Sequence, residues 1–175
     1  MIQAADFNIT AWNHTVDFVV EPLPPEDPVA ALKAAVRGEA PASLRVPLVF
    51  TGIYSGPVRL EVEVLDREPA APAPGWEDVA EVSLVLPEGR AYFNQTTGSD
   101  THGVGSVSAG EAGSYRARLH AAGRDTGFDI TVDAPTERHL VQLWKAPYSP
   151  MAVHAVGSSA GKSWQGFMFM WLEDA

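Results

Sequence analysis

The sequence predicts an all-β protein: an antiparallel β-sandwich of immunoglobulin-like or jelly-roll-like form, a short barrel being the other form the strand spacing indicates, with one short helix near residues 29–37. Three observations carry this expectation. Apolar residues recur with period two along many short segments. Gly and Pro, 15 and 14 among 175 residues, fall between those segments as turns do. One Ala-rich stretch alone has the composition of a helix.

Residues 10–20 place Trp12, His14, Val16, Phe18 and Val20 on one side of an extended chain, with Asn13, Thr15 and Asp17 on the other. That is a half-buried strand, with His14 packed and hydrogen-bonded in the core. Pro22, Pro24, Pro25 and Pro28 end it, because proline lacks the backbone donor and fixes φ. They lead into the helical segment 29–37, stopped by Gly38. Residues 44–54 are almost continuously apolar, as in a central strand. In 58–65, Val58, Leu60, Val62 and Val64 share one face while Arg59, Glu61 and Glu63 share the other. Pro72, Pro74 and Gly75 make 70–75 an exposed loop. Further strands are expected at 79–86, 90–94, 115–120, 128–133, 139–144 and 166–172. Residues 96–113, rich in Gly, Ser and Thr, read as a long loop, and 155–166 as a second. The segment from Phe167 to Leu172 has no polar face, so it is central or lies under a partner.

The composition sets the broad class. A hydrophobic share of 46% over this length supports one core and a single domain spanning 1–175. With no cysteine, disulfides, thiolate metal sites and cysteine nucleophiles are excluded. The opening Met1-Ile-Gln-Ala-Ala-Asp6 lacks the basic start and apolar run of a secretory signal, so a cytoplasmic location is expected. No apolar run approaches the roughly 18–20 residues that cross a bilayer, so no membrane partner is expected. With 22 acidic against 12 basic side chains, the net charge of -10 opposes nucleic-acid phosphates and favours a basic partner or simple colloidal solubility, the commoner use of such a charge.

Motifs for catalysis are weak. Gly157-Ser-Ser-Ala-Gly161-Lys162-Ser163 has its first glycine one residue too close for a phosphate loop, and no helical pattern follows. His14, His102, His120, His139 and His154 never occur at metal-ligand spacing, and no Gly-x-Ser-x-Gly elbow presents a nucleophile. Neither a metal nor a cofactor is expected, and no catalytic residue is assigned. A hydrolase or metalloenzyme centred on Asp100, His102 and His120 is the least favoured reading.

The favoured reading is a non-enzymatic protein-binding domain, an inhibitor or immunity-like factor for a basic toxin or nuclease. Glu61 and Glu63 project from one expected strand and Asp129 and Asp133 from another; in a shared sheet they form an acidic platform that steers a basic partner, with Trp171 as an apolar anchor. The alternative is a small-ligand or carbohydrate-binding module that stacks its ligand on Trp76, Tyr92 and Trp164. In residues 113–121, Tyr115, Ala117 and Leu119 point inward and Arg116, Arg118 and His120 outward, with Tyr115 placed as a tyrosine corner. Arg116 and Arg118 are expected to meet Glu61 or Glu63 across a ladder. His120 and His139 are candidate exposed neighbours.

The run Gly113-Ser-Tyr-Arg-Ala-Arg-Leu-His-Ala-Ala-Gly-Arg-Asp125 is preceded by Trp76-Glu-Asp-Val-Ala-Glu-Val-Ser83 and followed by Thr136-Glu-Arg-His-Leu-Val-Gln-Leu-Trp-Lys-Ala-Pro147. Together they resemble a family of uncharacterised bacterial proteins frequent in high-GC actinobacteria. The opening strand 7–20 and the Gly-x-Tyr strand resemble the competence protein J family of nuclease inhibitors. The resemblance implies a protein partner and assigns no catalytic residue.

Overall fold

The computed structural model describes residues 3–19, 45–86, 88–97 and 100–163. The described residues form ten strands: β1 (Gln3–Trp12), β2 (Thr15–Val19), β3 (Arg45–Phe50), β4 (Ser55–Leu65), β5 (Asp78–Leu86), β6 (Arg90–Thr97), β7 (Asp100–Ser108), β8 (Gly113–Ala122), β9 (Arg138–Lys145) and β10 (Ala152–Val156). They belong to one sheet of order β10-β5-β8-β9-β4-β1-β2-β6-β7, with β3 also pairing β2. The sheet is curled and mixed, which departs from the expected antiparallel two-layer sandwich: β4 and β9 run parallel. The expected helix 29–37 and strand 166–172 lie outside the described residues, as do Trp164 and Trp171.

The curl produces the core. Inward residues of β1 (Ile9, Ala11), β4 (Val58, Leu60, Val62, Val64), β6 (Ala91, Phe93), β7 (Val107), β8 (Tyr115, Ala117) and β9 (Val141, Leu143) form one buried apolar cluster. Each large side chain in it contributes about 1.5–3 kcal/mol of transfer free energy. Phe7 packs on Phe93 with ring centroids 5.3 Å apart. It also lies so close to Gly105 that a Cβ there would sit 2.2 Å from its ring. Gly105 therefore lets β7 close over β1. This is why the Gly-rich stretch expected as a loop from 96 to 113 is largely a strand, paired with β6 from Arg90↔Ser108 to Thr97↔Asp100.

The parallel pairing follows from the course of residues 66–77. Parallel strands need a crossover connection of about a dozen residues, usually a helix. Here the prolines at 69, 72 and 74 work against a helix, and the segment runs as a series of bends and a turn over the outer face of β9 and β8 before β5 starts. It is fastened there by side chains: Arg118 donates to the Pro69 carbonyl at 3.1 Å, the Ala73 amide to His120 Nε2 at 3.3 Å, and Arg138 to the Gly75 carbonyl at 2.8 Å.

Two other expectations change. The single strand 10–20 is a hairpin: Asn13 and His14, at φ 50° and 61°, form a two-residue loop closed by the Trp12↔Thr15 pair. Both central residues having positive φ marks a type I′ turn, which Asn favours. Segment 128–133 is no strand, because residues 124–129 turn and Asp129 has φ 58°; only a single bridge, Ser55↔Thr131, touches the sheet. Likewise 155–166 is not simply a loop, since β10 extends to Val156 and a helical turn occupies 159–163.

Candidate functional site

Three connections meet at the end of the sheet where β1 ends and β4 and β9 begin. The His14 amide donates to the Tyr54 carbonyl at 3.1 Å, and the Thr51 amide to the His14 carbonyl at 2.9 Å. The Tyr54 amide donates to Ile130, the Asp129 amide to Gly52 and the Val132 amide to Ser55, at 2.9, 2.9 and 3.0 Å. The turn 13–14, the bend 51–54 and the loop 127–132 are thus one hydrogen-bonded unit. Gly52 is required in it, because a Cβ there would lie 1.9 Å from the Arg124 carbonyl oxygen.

This unit presents aromatic rings to solvent. Tyr54, Phe128 and Ile130 are 37%, 47% and 55% exposed, half of the six exposed large hydrophobic side chains among the described residues. Trp12 and His14 lie behind them, with ring centroids 6.0 Å and 5.4 Å from Tyr54; His14 is 6.3 Å from Phe128. Asp129 Oδ1 is 3.1 Å from His14 Nε2. Asn13, His14 and Asp129 are also the three non-glycine residues with positive φ among those described. Such strain persists only where the surroundings over-determine the backbone, and it gathers at binding sites.

A buried polar cluster underlies the rim. The Gly52 amide donates to Glu137 Oε2 at 2.8 Å, and Glu137 Oε1 lies 3.7 Å from His139 Nε2. Arg124 bridges to Asp78 at 3.3 Å. Asp78 also accepts from the Gly157 and Ser158 amides and from the Ser158 hydroxyl. Burial pushes the His139 imidazole below its ordinary value, against the opposing pull of Glu137. The cluster ties the start of β5, the end of β8 and the start of β9 to the bend that carries Tyr54.

A second network lies on the outer face. Glu81 on β5 takes Arg116 Nη2 at 3.0 Å and Arg118 Nε at 2.5 Å, with His154 Nε2 at 3.0 Å. Burial alone would raise this carboxyl, but the two arginine hydrogen bonds outweigh it and hold it below the usual carboxylate value. Arg116 also donates to the Ser149 and Pro150 carbonyls, drawing residues 146–151 across the same face.

The residues singled out by sequence are dispersed. Glu61 is exposed on β4 directly opposite Asp6, and Glu63 accepts from Gln142 Nε2 at 2.8 Å. Asp129 and Asp133 sit in the loop rather than on a strand, so the four carboxylates do not share a sheet face. Arg116 and Arg118 pair with Glu81, because β5 and β9, not β4, flank β8. His120 and His139 are buried, each 2% exposed, with burial lowering the His120 imidazole as well. Trp76 packs on His120 at 5.6 Å under Arg138, whose guanidinium is 4.0 Å from the ring. Tyr92 is on β6, which is not a neighbour of β5 or β8. Asp100 and His102 lie on β7, away from His120 on β8 in the strand order. Tyr115 behaves as a tyrosine corner, its hydroxyl donating to the Ala109 and Glu111 carbonyls at 3.1 and 2.5 Å. The rim residues Trp12, Tyr54, Phe128 and Ile130 were missed, and Asn13-His14 between two apolar runs was the available signal.

No protein-family model matches the sequence, and no curated protein matches it. Among solved structures, crocagin biosynthetic protein J is similar at 16% identity and a TM-score of 0.51, over 83% of this chain and all of that one. ComJ of Bacillus subtilis, an inhibitor of the DNA-degrading activity of NucA, is similar at 10% identity and a TM-score of 0.40, over 82% of this chain and 96% of that one. At these identities the first likeness is one of fold.

Proposed function

We propose that this chain is a non-enzymatic binding domain for another, basic protein, in its finer form an inhibitor or immunity-like factor of a basic toxin or nuclease. The observation that carries the reading is the rim: Tyr54, Phe128 and Ile130 exposed side by side on connections locked together by backbone hydrogen bonds. Exposed aromatics on a pre-organised backbone are the anchors that dominate interface energy, since little ordering cost is left to meet on association. The net charge of -10 supplies long-range attraction, and Asp6 opposite Glu61 adds an exposed like-charge pair that a basic partner would relieve.

The test compares the intact chain with a Tyr54→Ala, Phe128→Ala, Ile130→Ala variant as affinity baits. A partner retained by the intact chain is purified and its affinity measured by calorimetry at two salt concentrations. Binding weakened by salt, and at least about 30-fold weaker for the rim variant, is expected. Equal affinity for the two baits, or no specifically retained protein, refutes the reading.

A further inference from the structure

Resting on that reading, we propose that the rim recognises a particular chemical group of the partner, an arginine side chain, laid on the exposed rings of Tyr54 and Phe128 with Asp129 as its carboxylate. The rings stand at mutual tilts rather than stacked: 54° between Trp12 and Tyr54 and 85° between His14 and Tyr54. Packed at these tilts, Tyr54 and Phe128 still stand 37% and 47% exposed, and a cation is drawn to an exposed ring face by the ring quadrupole. Asp129 stands at the same place with its side chain 67% exposed, and only Oδ1 takes part in the contact with His14. A guanidinium is planar and weakly hydrated; it lies flat on a ring and donates in a fork to a carboxylate, which an ammonium cannot do.

The protein uses the same chemistry internally. Arg118 lies over Trp144 at 5.4 Å while bonded to Glu81, and Arg138 lies over Trp76 at 4.0 Å while donating to the Gly75 carbonyl. Among the described residues no guanidinium of the chain stands over Trp12, Tyr54 or Phe128. The rim thus has exposed rings that no guanidinium of the described chain covers, and an acid whose side-chain partner is His14, in a protein with a net charge of -10.

Acetyl-arginine-amide and acetyl-citrulline-amide, nearly identical in shape but differing in charge, are titrated into the labelled protein while ring resonances of Trp12, Tyr54 and Phe128 are followed. The arginine compound is expected to shift them saturably with a dissociation constant of about 1–10 mM, and the citrulline compound to bind about tenfold more weakly. The Tyr54→Ala, Phe128→Ala variant should lose the response with its strand amide resonances unmoved. Equal response to the two compounds, no response to either, or an unchanged response in the variant overturns the inference. Should a partner bind the intact chain and not the rim variant while the two compounds behave alike, this inference falls and the protein-binding reading stands. Should a partner bind both baits equally, the reading itself falls.

Discussion

Replacing Glu81 by Gln removes the buried carboxylate that Arg116 and Arg118 share, leaving Arg118 only the exposed Glu68 at 3.7 Å. The Glu81, Arg116 and Arg118 side chains are 8%, 6% and 4% exposed. Gln keeps one acceptor oxygen but places an NH₂ group against the other guanidinium, so a buried donor faces a donor. Removing one partner from a buried ion pair costs about 3–5 kcal/mol, most of it the penalty of the charge left behind. With a urea dependence of about 2 kcal/mol per M, the unfolding midpoint should fall by roughly 1.5–2.5 M. A Glu81→Gln, Arg118→Gln double variant should recover part of the loss, because one stranded charge goes with its partner. The comparison pair is Lys145 with Glu111, which is exposed, and Lys145→Ala should leave the midpoint where it is. A midpoint shift below about 0.5 M for Glu81→Gln would refute the claim that this cluster holds the crossover segment to the sheet.

Two further predictions follow the same chemistry. Tyr115→Phe keeps the packing but loses the hydroxyl that serves the Ala109 and Glu111 carbonyls, and should cost about 1–2 kcal/mol in urea unfolding; no measurable loss would mean that the corner contributes nothing. Acid should destabilise the protein in two stages. His120 and His139 have folded values lowered by burial, so the unfolded chain takes up protons first; their contribution is complete above the ordinary value near 6.5 and is lost as pH falls below it toward the folded values. The Glu81 carboxyl, also lowered, contributes fully above its ordinary value near 4.5 and is lost below that, through its folded value. The urea midpoint should therefore begin to fall as pH drops below the ordinary value near 6.5, and His139→Gln should flatten that part; a flat profile in the intact protein contradicts the assignment.

What the sequence made legible was local. β4 and β8 were readable because Val58 to Val64 and Tyr115 to Leu119 alternate strictly, β5 and β9 as short apolar runs between turns, and the Tyr115 hydroxyl needs partners only four and six residues away. β7 was not readable, because the feature that makes it a strand is Phe7 on a remote strand filling the space above Gly105. Glycine in composition signals a loop, whereas here it signals close approach. The parallel β4–β9 pairing was hidden for a similar reason. Its cause is the path of residues 66–77, set by Arg118, His120 and Arg138 on strands that follow later in the chain. The choice of Glu81 over Glu61 or Glu63 as the arginines' partner depended on strand order, which alternation does not encode.

The rim and the buried clusters are linked by one residue. Glu137 has 4% of its surface exposed and spends Oε2 on the Gly52 amide, at the centre of the bend that carries Tyr54. Gly52 in turn accepts from Asp129 through its carbonyl, and the Tyr54 amide donates to Ile130, so one carboxylate fixes the bend from below while the loop fixes it from above. A mobile bend would lose its ring positions and would have to regain them on binding, at a cost in affinity. If the rim is the binding surface proposed above, the burial of a carboxylate beside His139 and Arg124 serves more than stability, because it keeps a solvent-facing aromatic surface in one arrangement, the condition under which few contacts suffice to select a partner.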